Sequence, residues 1–259
     1  MSEPSGHGVI ELQKVSFRLD HGRELLHDIN LEVDRGETLI VLGRSGSGKT
    51  TTLKLVNRLL TPTAGEVRIE GRPTLQWDAI RLRRMMGYVI QEIGLFPHFT
   101  VERNIGLVPT IEGWSVTRIQ ARVRELLRLV GLPSEVASRY PHELSGGQRQ
   151  RVGVARALAA DPPILLMDEP FGALDPITRA ELQREFLELQ KRLKKTVMFV
   201  THDLHEALLL GSRIALLEAG RLVALKTADS FTESNEPLIV AYREAFGSEF
   251  ASRRDGNKS

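Results

Sequence analysis

The stretch TLIVLGRSGSGKTTTLKLV, residues 38–56, predicts a strand, a tight turn and a helix in immediate succession. Residues 38–42 are apolar and rich in β-branched side chains, which is typical of a strand buried on both faces. After the turn, Leu53 and Val56 lie at helical spacing, and Leu59 and Leu60 continue the pattern. The turn has two glycines around four free positions and then Lys-Thr, the pattern of a phosphate-binding loop. The chain is therefore predicted to be an α/β protein with an anion site at this junction.

The chemistry of this turn follows from its backbone. Glycines let the chain turn tightly with its N–H groups pointing inward, and the next helix presents its positive N-terminal end to an anion. Lys49 is placed to reach the terminal phosphates of a nucleotide, and the Thr50 hydroxyl to coordinate Mg²⁺. The alternative is a loop that only connects a strand to a helix. The residues predicted to bind nucleotide are Gly43, Arg44, Ser45, Gly46, Ser47, Gly48, Lys49, Thr50 and Thr51.

A second apolar run, ILLMDEP at residues 164–170, ends in two adjacent carboxylates. Open α/β sheets bind ligands at the carboxyl ends of their strands, which is where these side chains emerge. We expect Asp168 to hold Mg²⁺ and Glu169 to polarise a water molecule for attack on the terminal phosphate. Taken alone, the pair could also be a solvated acidic strand end before a proline turn.

The block LSGGQRQRVGVARALAADPPILLMDEPFGALDP, residues 144–176, resembles the corresponding segment of the ATP-binding-cassette (ABC) ATPases. The resemblance implies a P-loop NTPase fold, ATP and Mg²⁺ as ligands, and a dimer in which one subunit caps the ATP held by the other. A serine and two glycine amides at a helix start are suited to that anion contact, although a capped helix start without a ligand is the alternative. The residues implied to act on the other subunit's nucleotide are Ser145, Gly146, Gly147, Gln148 and Asp175.

Two further positions match the same family. Gln91 corresponds to the glutamine that senses the metal and the attacking water, and His202, after the strand-like TVMFV, to the switch histidine. A lone histidine after a strand is more often structural, but this strand follows ILLMD by one helix, which indicates the same sheet edge. The implied catalytic residues are Glu169, His202 and Gln91; the implied metal ligands are Thr50, Gln91 and Asp168.

One position departs from the family pattern. ABC ATPases usually carry an aromatic residue that stacks on adenine two places after the phenylalanine of a VSF strand, and this chain has Leu19 there. Leu19 can still make an apolar contact, and His21 or Phe17 are candidates to contribute, with Phe17 more typical of a core residue. Base selectivity is expected to be weaker than in a stacked site.

The strand-like segments lie at residues 9–17, 28–33, 38–42, 66–69, 87–91, 164–168, 196–200 and 213–217. Between residues 92 and 145 the pattern is helical, with Val116, Ile119, Val123, Leu126 and Val130 expected on a buried face. We interpret this as an ABC ATPase domain at residues 9–241. It comprises a RecA-like core, residues 9–91 and 156–241, and an inserted helical subdomain, residues 92–155. Residues 248–259 have the composition of a disordered tail.

The segment GYVIQEIGLFPHFTVERNI, residues 87–105, resembles ATPases of bacterial importers for glycine betaine, choline and related quaternary amines. PTIEGWSVTRI, residues 109–119, supports the same match. The resemblance implies a second ABC ATPase subunit, in a homodimer, integral membrane permease subunits that contact residues 95–99, and a periplasmic or lipoprotein solute-binding protein. An amino-acid importer ATPase and a lipid or drug exporter ATPase are the alternatives. Non-transport ABC proteins need a long coiled-coil insertion or a second cassette, and neither is present in this sequence.

Composition limits the remaining choices. The 259 residues contain 35 basic and 33 acidic side chains, a formal net charge of +2, so no basic field for nucleic acid is indicated. The sequence contains no cysteine, which suits a reducing compartment, and no apolar run of membrane-spanning length. We expect a peripheral protein at the cytoplasmic face of the inner or plasma membrane, without a paired regulatory domain after the ATPase domain.

Overall fold

The computed structural model describes residues 8–91 and 94–247, and the side chains of these residues except those of 246 and 247. The predicted tail at residues 248–259 lies outside the described residues. The strands are β1 (Ile10–Arg18), β2 (Glu24–Val33), β3 (Thr38–Leu42), β4 (Ala64–Ile69), β5 (Arg72–Pro73), β6 (Met86–Val89), β7 (Ile164–Asp168), β8 (Thr196–Thr201), β9 (Arg213–Glu218) and β10 (Arg221–Thr227). The helices are α1 (Lys49–Val56), α2 (Ala79–Arg84), α3 (Val101–Ile111), α4 (Val116–Leu129), α5 (Gly146–Leu158), α6 (Pro176–Leu193), α7 (Leu204–Leu210), α8 (Ala228–Glu233) and α9 (Pro237–Gly247).

The strands form two sheets. An antiparallel sheet has the order β2-β1-β4-β5, and a larger sheet has the order β10-β9-β3-β8-β7-β6. In the larger sheet β9, β3, β8, β7 and β6 are parallel, and β10 pairs antiparallel to β9. The parallel arrangement brings the carboxyl ends of β3, β6, β7 and β8 to one edge of the sheet. The phosphate loop, Gln91, the two carboxylates and His202 lie at these strand ends.

The larger sheet separates two hydrophobic cores. Along β3, Ile40 and Leu42 pack into one core and Leu39 and Val41 into the other. Every residue of β3, β7 and β8 is buried, as expected for parallel strands covered on both faces. Helix α1 and the antiparallel sheet cover one face, and α3, α4, α5 and α6 supply the core on the other. This packing fixes the strand ends that carry the candidate site.

The α/β prediction is confirmed, and the predicted strands are present with shifted bounds. β2 begins at Glu24 and not at residue 28, because it continues the hairpin with β1. Leu59 is 49% exposed, since α1 ends at Val56 and Arg58 turns the chain with φ 54°.

The prediction that Val116 is buried is wrong. This residue opens α4 and is 71% exposed. By contrast, Val123, Leu126 and Val130 are buried, and Ile119 packs against the same core. The division into a core and a helical subdomain at residues 92–155 stays a prediction. Among the described residues, no helix is long and apolar enough to cross a membrane.

Candidate functional site

The phosphate loop has the backbone that its glycines predict. Gly46 and Gly48 have φ angles of 79° and 102°, and Gly48 immediately precedes α1. A Cβ atom at Gly48 would lie 2.4 Å from Leu26 Cδ2, so β2 presses directly against the turn. Glycine is required at this position both for its left-handed backbone and for space. The loop is thereby held tightly at the amino end of α1.

Lys49 is buried at the centre of the loop, with 5% of its surface exposed. Its Nζ donates hydrogen bonds to the carbonyl oxygens of Gly43, at 2.9 Å, and Arg44, at 3.0 Å, and lies 3.6 Å from Glu169 Oε1. Burial lowers the pKa of Lys49, and the neighbouring Glu169 opposes this shift. The ammonium group is therefore positioned between the loop and the end of β7.

Asp168 and Thr50 meet across the two motifs. The Thr50 hydroxyl donates to Asp168 Oδ1 at 2.9 Å, although the residues are 118 positions apart in sequence. Burial raises the pKa of Asp168, and the hydrogen bond from Thr50 acts in the opposite direction. Burial and the adjacent Asp168 also raise the pKa of the Tyr88 phenol. Tyr88, on β6, was missed by sequence reasoning, because its closeness to Asp168 depends on the pairing of β6 with β7.

Glu169 faces two partners with its two carboxylate oxygens. Oε2 lies 3.0 Å from His202 Nδ1, and Oε1 faces Lys49. The backbone of Glu169 is left-handed, with φ 43°, and its N–H donates to the Val200 carbonyl at 3.0 Å. The predicted base and the predicted switch histidine are therefore in direct contact, held by the ends of β7 and β8.

Lys49, Thr50, Glu169 and His202 line one cavity of about 800 Å³, and Asp168 adjoins it through its hydrogen bond with Thr50. Gln91 also lines it, after the end of β6, whereas Phe17 is a core residue and His21 is not among the lining residues. The structure brings together most of the predicted nucleotide, catalytic and metal residues, and adds Arg23 and Leu25, which sequence reasoning did not name. The lining residues are Leu19, Arg23, Leu25, Arg44, Ser45, Gly46, Gly48, Lys49, Thr50, Thr51, Gln91, Glu169 and His202.

The predicted trans residues do not line this cavity. Ser145 caps α5 by accepting from Gln148 N at 3.2 Å, while Ser145 N donates to Gln148 Oε1 at 3.0 Å. Asp175 caps α6 by accepting from Thr178 N at 3.0 Å, and these hydrogen bonds lower the pKa of Asp175. A Cβ atom at Gly147 would lie 2.8 Å from Thr178 Cγ2, so the starts of α5 and α6 adjoin. The starts of α5 and α6 thus form a second surface of the chain, separate from the cavity.

The site fits a magnesium ion that is shared with a phosphate ligand. Thr50 Oγ1 and Asp168 Oδ1 are hard oxygen donors, and the buried Ser47 hydroxyl in the same loop has no hydrogen-bond partner within the described residues. The described residues contain no cluster of three or more acidic or histidine side chains that could hold a metal ion unaided. Mg²⁺ usually binds one or two protein oxygens together with substrate phosphates, which matches this set.

Comparison with known proteins identifies the architecture. The family model described as ABC transporter matches residues 26–172, a segment that contains the phosphate loop, Ser145 and both carboxylates. The chain belongs to the ABC transporter family. Its structure accordingly has the P-loop NTPase fold of ABC ATPases.

Relatives of this ABC chain are named for the transport of choline, of osmoprotectants or of glycine betaine. It is 52% identical over 221 residues to the choline transport ATP-binding protein OpuBA of Bacillus subtilis (strain 168), covering 85% of this chain and 58% of that protein. It is 55% identical over 203 residues to the osmoprotectant import ATP-binding protein OsmV of Salmonella typhimurium, covering 78% and 53%. It is 47% identical over 239 residues to the glycine betaine uptake system ATP-binding protein YehX of Escherichia coli (strain K12), covering 92% and 77%. The chain thus spans between about half and three quarters of these relatives.

Solved ABC cassettes have the same fold. The ATP-binding cassette MJ0796, in a dimeric post-hydrolysis state bound to ADP and Pi, is 35% identical with a TM-score of 0.76, covering 85% of this chain and 98% of that chain. The cbiO1 protein from Clostridium perfringens, part of the ABC transporter complex cbiONQ, is 26% identical with a TM-score of 0.81, covering 89% and 93%.

Proposed function

We propose that this chain binds and hydrolyses ATP at the cavity formed by the phosphate loop and the ends of β6, β7 and β8. The observation that carries this proposal is the convergence of Lys49, the Thr50–Asp168 pair and the Glu169–His202 pair on one cavity. A bound Mg²⁺, held by Thr50, Asp168 and Gln91, would neutralise charge on the phosphates. The similarity to a cassette whose structure contains ADP and Pi supports the same reading.

The chain's own residues divide the chemistry. Lys49 holds the terminal phosphates with its ammonium group, which the loop carbonyls already orient. Glu169 accepts the proton of the attacking water, and His202 fixes the orientation of its carboxylate. Gln91, at the rim, positions the water and the metal. The start of α1 stabilises the negative charge of the phosphates with its N–H groups.

We propose that two copies form the active assembly. The anion-type surface at the starts of α5 and α6 is complete in its capping geometry but does not line the cavity of its own chain. A second copy would bring Ser145, Gly146, Gly147, Gln148 and Asp175 over the nucleotide. The dimeric state of the similar cassette supports this arrangement.

The surface at residues 95–99 has the features of a docking site for a membrane subunit. The buried Asn104 holds its turn, accepting from Phe96 N at 2.8 Å and donating to the Phe96 and Phe99 carbonyls at 3.1 and 3.0 Å. Phe96 is 40% exposed, and its ring packs against those of His98 and Phe99. Glu92 and Ile93, which join this turn to Gln91, lie outside the described residues. We propose that permease subunits bind here and act on the site through Gln91.

For the transported solute, we propose glycine betaine, choline or a related quaternary amine, delivered by a solute-binding protein to a bacterial importer. The transport functions for which the relatives are named support this class. The assembly would be peripheral at the cytoplasmic face of the membrane. An importer of amino acids is the competing assignment, and the exporter assignment would require permeases of a different type.

The test is ATP hydrolysis by the chain reconstituted with its permease subunits in liposomes. Solute-binding protein loaded with glycine betaine, choline or carnitine should stimulate hydrolysis, and protein incubated with histidine or methionine should not. Phe96→Ala should remove the stimulation and keep the basal rate, whereas Leu75→Ala, at another exposed apolar residue, should leave both unchanged. Stimulation by amino acids alone would replace the osmoprotectant assignment with the amino-acid one.

A further inference from the structure

The candidate nucleotide cavity has a wall that the phosphate chemistry does not use. Leu19 and Arg23 line it from the turn between β1 and β2 and Leu25 from the start of β2, whereas Glu169 and His202 line it from the ends of β7 and β8. The phosphate loop lies between these two walls, since a Cβ atom at Gly48 would lie 3.1 Å from the Leu25 carbonyl. A triphosphate whose terminal phosphate lies at Lys49 and Glu169, which adjoin each other, extends along the loop toward the opposite wall and leaves its nucleoside on the side of Leu19.

The β1–β2 hairpin brings these three side chains to one wall of the cavity. Leu19 N donates to the Arg23 carbonyl at 2.9 Å, so the two residues stand opposite each other across the turn and point to the same face. Leu25 is the extra residue of a bulge, since Phe17 pairs with Leu26 and Arg18 with Glu24, and it lines the same cavity as Leu19 and Arg23. Leu19, Arg23 and Leu25 therefore form one surface, with a flat cationic group between two branched apolar side chains.

Arg23 differs from the other cations at this cavity. Lys49 is held by loop carbonyls, and the Arg44 guanidinium lies 5.9 Å from the centroid of the Tyr242 ring. Glu24, the nearest acid along the chain, pairs with Arg18 at 3.7 Å and His27 at 3.2 Å. Within the described part of the chain, no hydrogen bond or ion pair engages the Arg23 side chain. Its guanidinium is thus available to a ligand.

We propose that Arg23 is the base-binding residue of this nucleotide site, and that it stacks its guanidinium on the purine where Leu19 offers no ring. A guanidinium is planar, delocalised and weakly hydrated, so it packs on a π face in a way that a lysine ammonium does not. Leu19 and Leu25 supply the apolar edges of the same platform. Because every purine has a π face, this platform binds adenine and guanine with similar strength. The assignment rests on the proposed function of this site.

The experiment measures calorimetric affinities for ADP, GDP and pyrophosphate in the presence of Mg²⁺. Arg23→Ala should weaken ADP and GDP by about three- to tenfold each and leave pyrophosphate within about 1.5-fold, because only the base contact is lost. Arg23→Lys keeps the charge but loses the plane, so it should recover less than half of that loss. The wild-type affinities for ADP and GDP should agree within about threefold.

Arg18→Ala is the matched control, since Arg18 is the adjacent arginine on the opposite face of β1 and pairs with Glu24. It should leave all three affinities unchanged. The proposal is overturned if Arg23→Ala weakens pyrophosphate as much as ADP, if it weakens neither nucleotide, or if Arg23→Lys restores the full affinity. A wild-type chain that binds none of the three ligands would instead contradict the proposed ATP site itself.

Discussion

At the scale of single residues, Asp168 and Glu169 are neighbours in sequence and meet different groups. Asp168 accepts from the Thr50 hydroxyl inside the loop, and Glu169 faces the Lys49 ammonium and the His202 imidazole. Glu169 follows the last residue of β7 and has a left-handed backbone, with φ 43°. Two carboxylates in one dipeptide can therefore hold a metal and activate water without competing.

This separation predicts two different losses. Glu169→Gln should reduce kcat for ATP hydrolysis by about 10²-fold or more and keep ATP affinity, because the amide cannot accept the proton of water. Asp168→Asn should weaken Mg²⁺-dependent ATP binding. Steady-state hydrolysis and calorimetric binding distinguish the two effects. Glu188→Gln, at an exposed acid that pairs with Lys191, is the control. Equal turnover in Glu169→Gln and the wild type would remove Glu169 from this role.

The site residues that the sequence predicted belong to local motifs, whereas those it missed reach the site through the pairing of strands. Lys49, Thr50, Asp168 and Glu169 lie in local motifs whose spacing carries their chemistry, so their meeting follows once the strands are parallel. Arg23 lines the cavity only because the β1–β2 register turns it toward the phosphate loop. The register between two strands of a chain cannot be read from a single sequence.

At the scale of secondary structure, helix starts carry both stability and function. Ser145 is the N-cap residue of α5, and Ser115 is the N-cap residue of α4. Both side chains accept a hydrogen bond from the backbone N–H three residues on, at 3.2 and 3.3 Å. Losing such a cap costs about 1 kcal/mol. Both serine side chains accept one such bond, Ser145 has in addition the reciprocal bond from its N–H to Gln148 Oε1, and only Ser145 is proposed to contact nucleotide.

This pair gives a matched comparison. Ser145→Ala and Ser115→Ala should each lower the free energy of unfolding by about 1 kcal/mol, measured by urea denaturation. Only Ser145→Ala should also reduce ATP hydrolysis. A comparable loss of hydrolysis in both variants would show that the effect is structural and would contradict a nucleotide contact at Ser145.

Helix α6 is joined to the His202 segment through a buried carboxylate. Glu206, 3% exposed, accepts from Gln183 Nε2 on α6 at 2.9 Å and from the Thr201 hydroxyl at 2.5 Å. Nearby, Arg179 lies 3.8 Å from Asp203 and donates to the Leu174 carbonyl at 3.2 Å. These contacts connect the segment that contains His202 to α6 and to the residues just before it, which include Asp175.

Burial raises the pKa of Glu206 above its ordinary value of 4.5. The folded state then binds more protons than the unfolded state between the two pKa values, so this group's contribution is full below 4.5 and is lost as pH rises through the folded pKa. Glu206→Gln mimics the neutral form and should become increasingly more stable than the wild type with rising pH. Urea unfolding of both proteins across this range is the measurement. Parallel curves for Glu206→Gln and the wild type would contradict the assignment.

The interior of the elements was predictable, and their ends were not. The apolar runs of β3, β7 and β8 are buried throughout, because parallel strands covered on both faces need continuous apolar sequence. Val116 fits the helical pattern of α4 and is nevertheless exposed at the first residue of the helix. Periodicity records the direction of a side chain and contains no information on where its neighbours stop.

At the scale of the whole molecule, the cavity and the anion-type surface belong to different nucleotide sites of the proposed dimer. In a symmetric pair, each site combines the phosphate loop of one copy with Ser145 to Gln148 of the other. Lys49→Ala removes the first half of a site. Gly146→Asp adds a negative charge to the second half without a clash, since a Cβ atom there has its nearest neighbour at 3.7 Å.

Mixing these two inactive proteins should restore hydrolysis. Half of the dimers in an equal mixture are mixed, and each mixed dimer has one intact site, so the activity should recover to about a quarter of the wild-type value. The measurement is ATP hydrolysis against mixing ratio, with each variant alone as the control. No recovery at any ratio would show that both loops act on a nucleotide within the same chain.

The left-handed backbone at Glu169 has a consequence for engineering. A non-glycine residue with φ 43° carries a cost of about 1–3 kcal/mol, which glycine would relieve. A directed-evolution campaign that rewards heat resistance alone would therefore select against the glutamate. The selected variants would be more stable proteins that still bind ATP and no longer hydrolyse it.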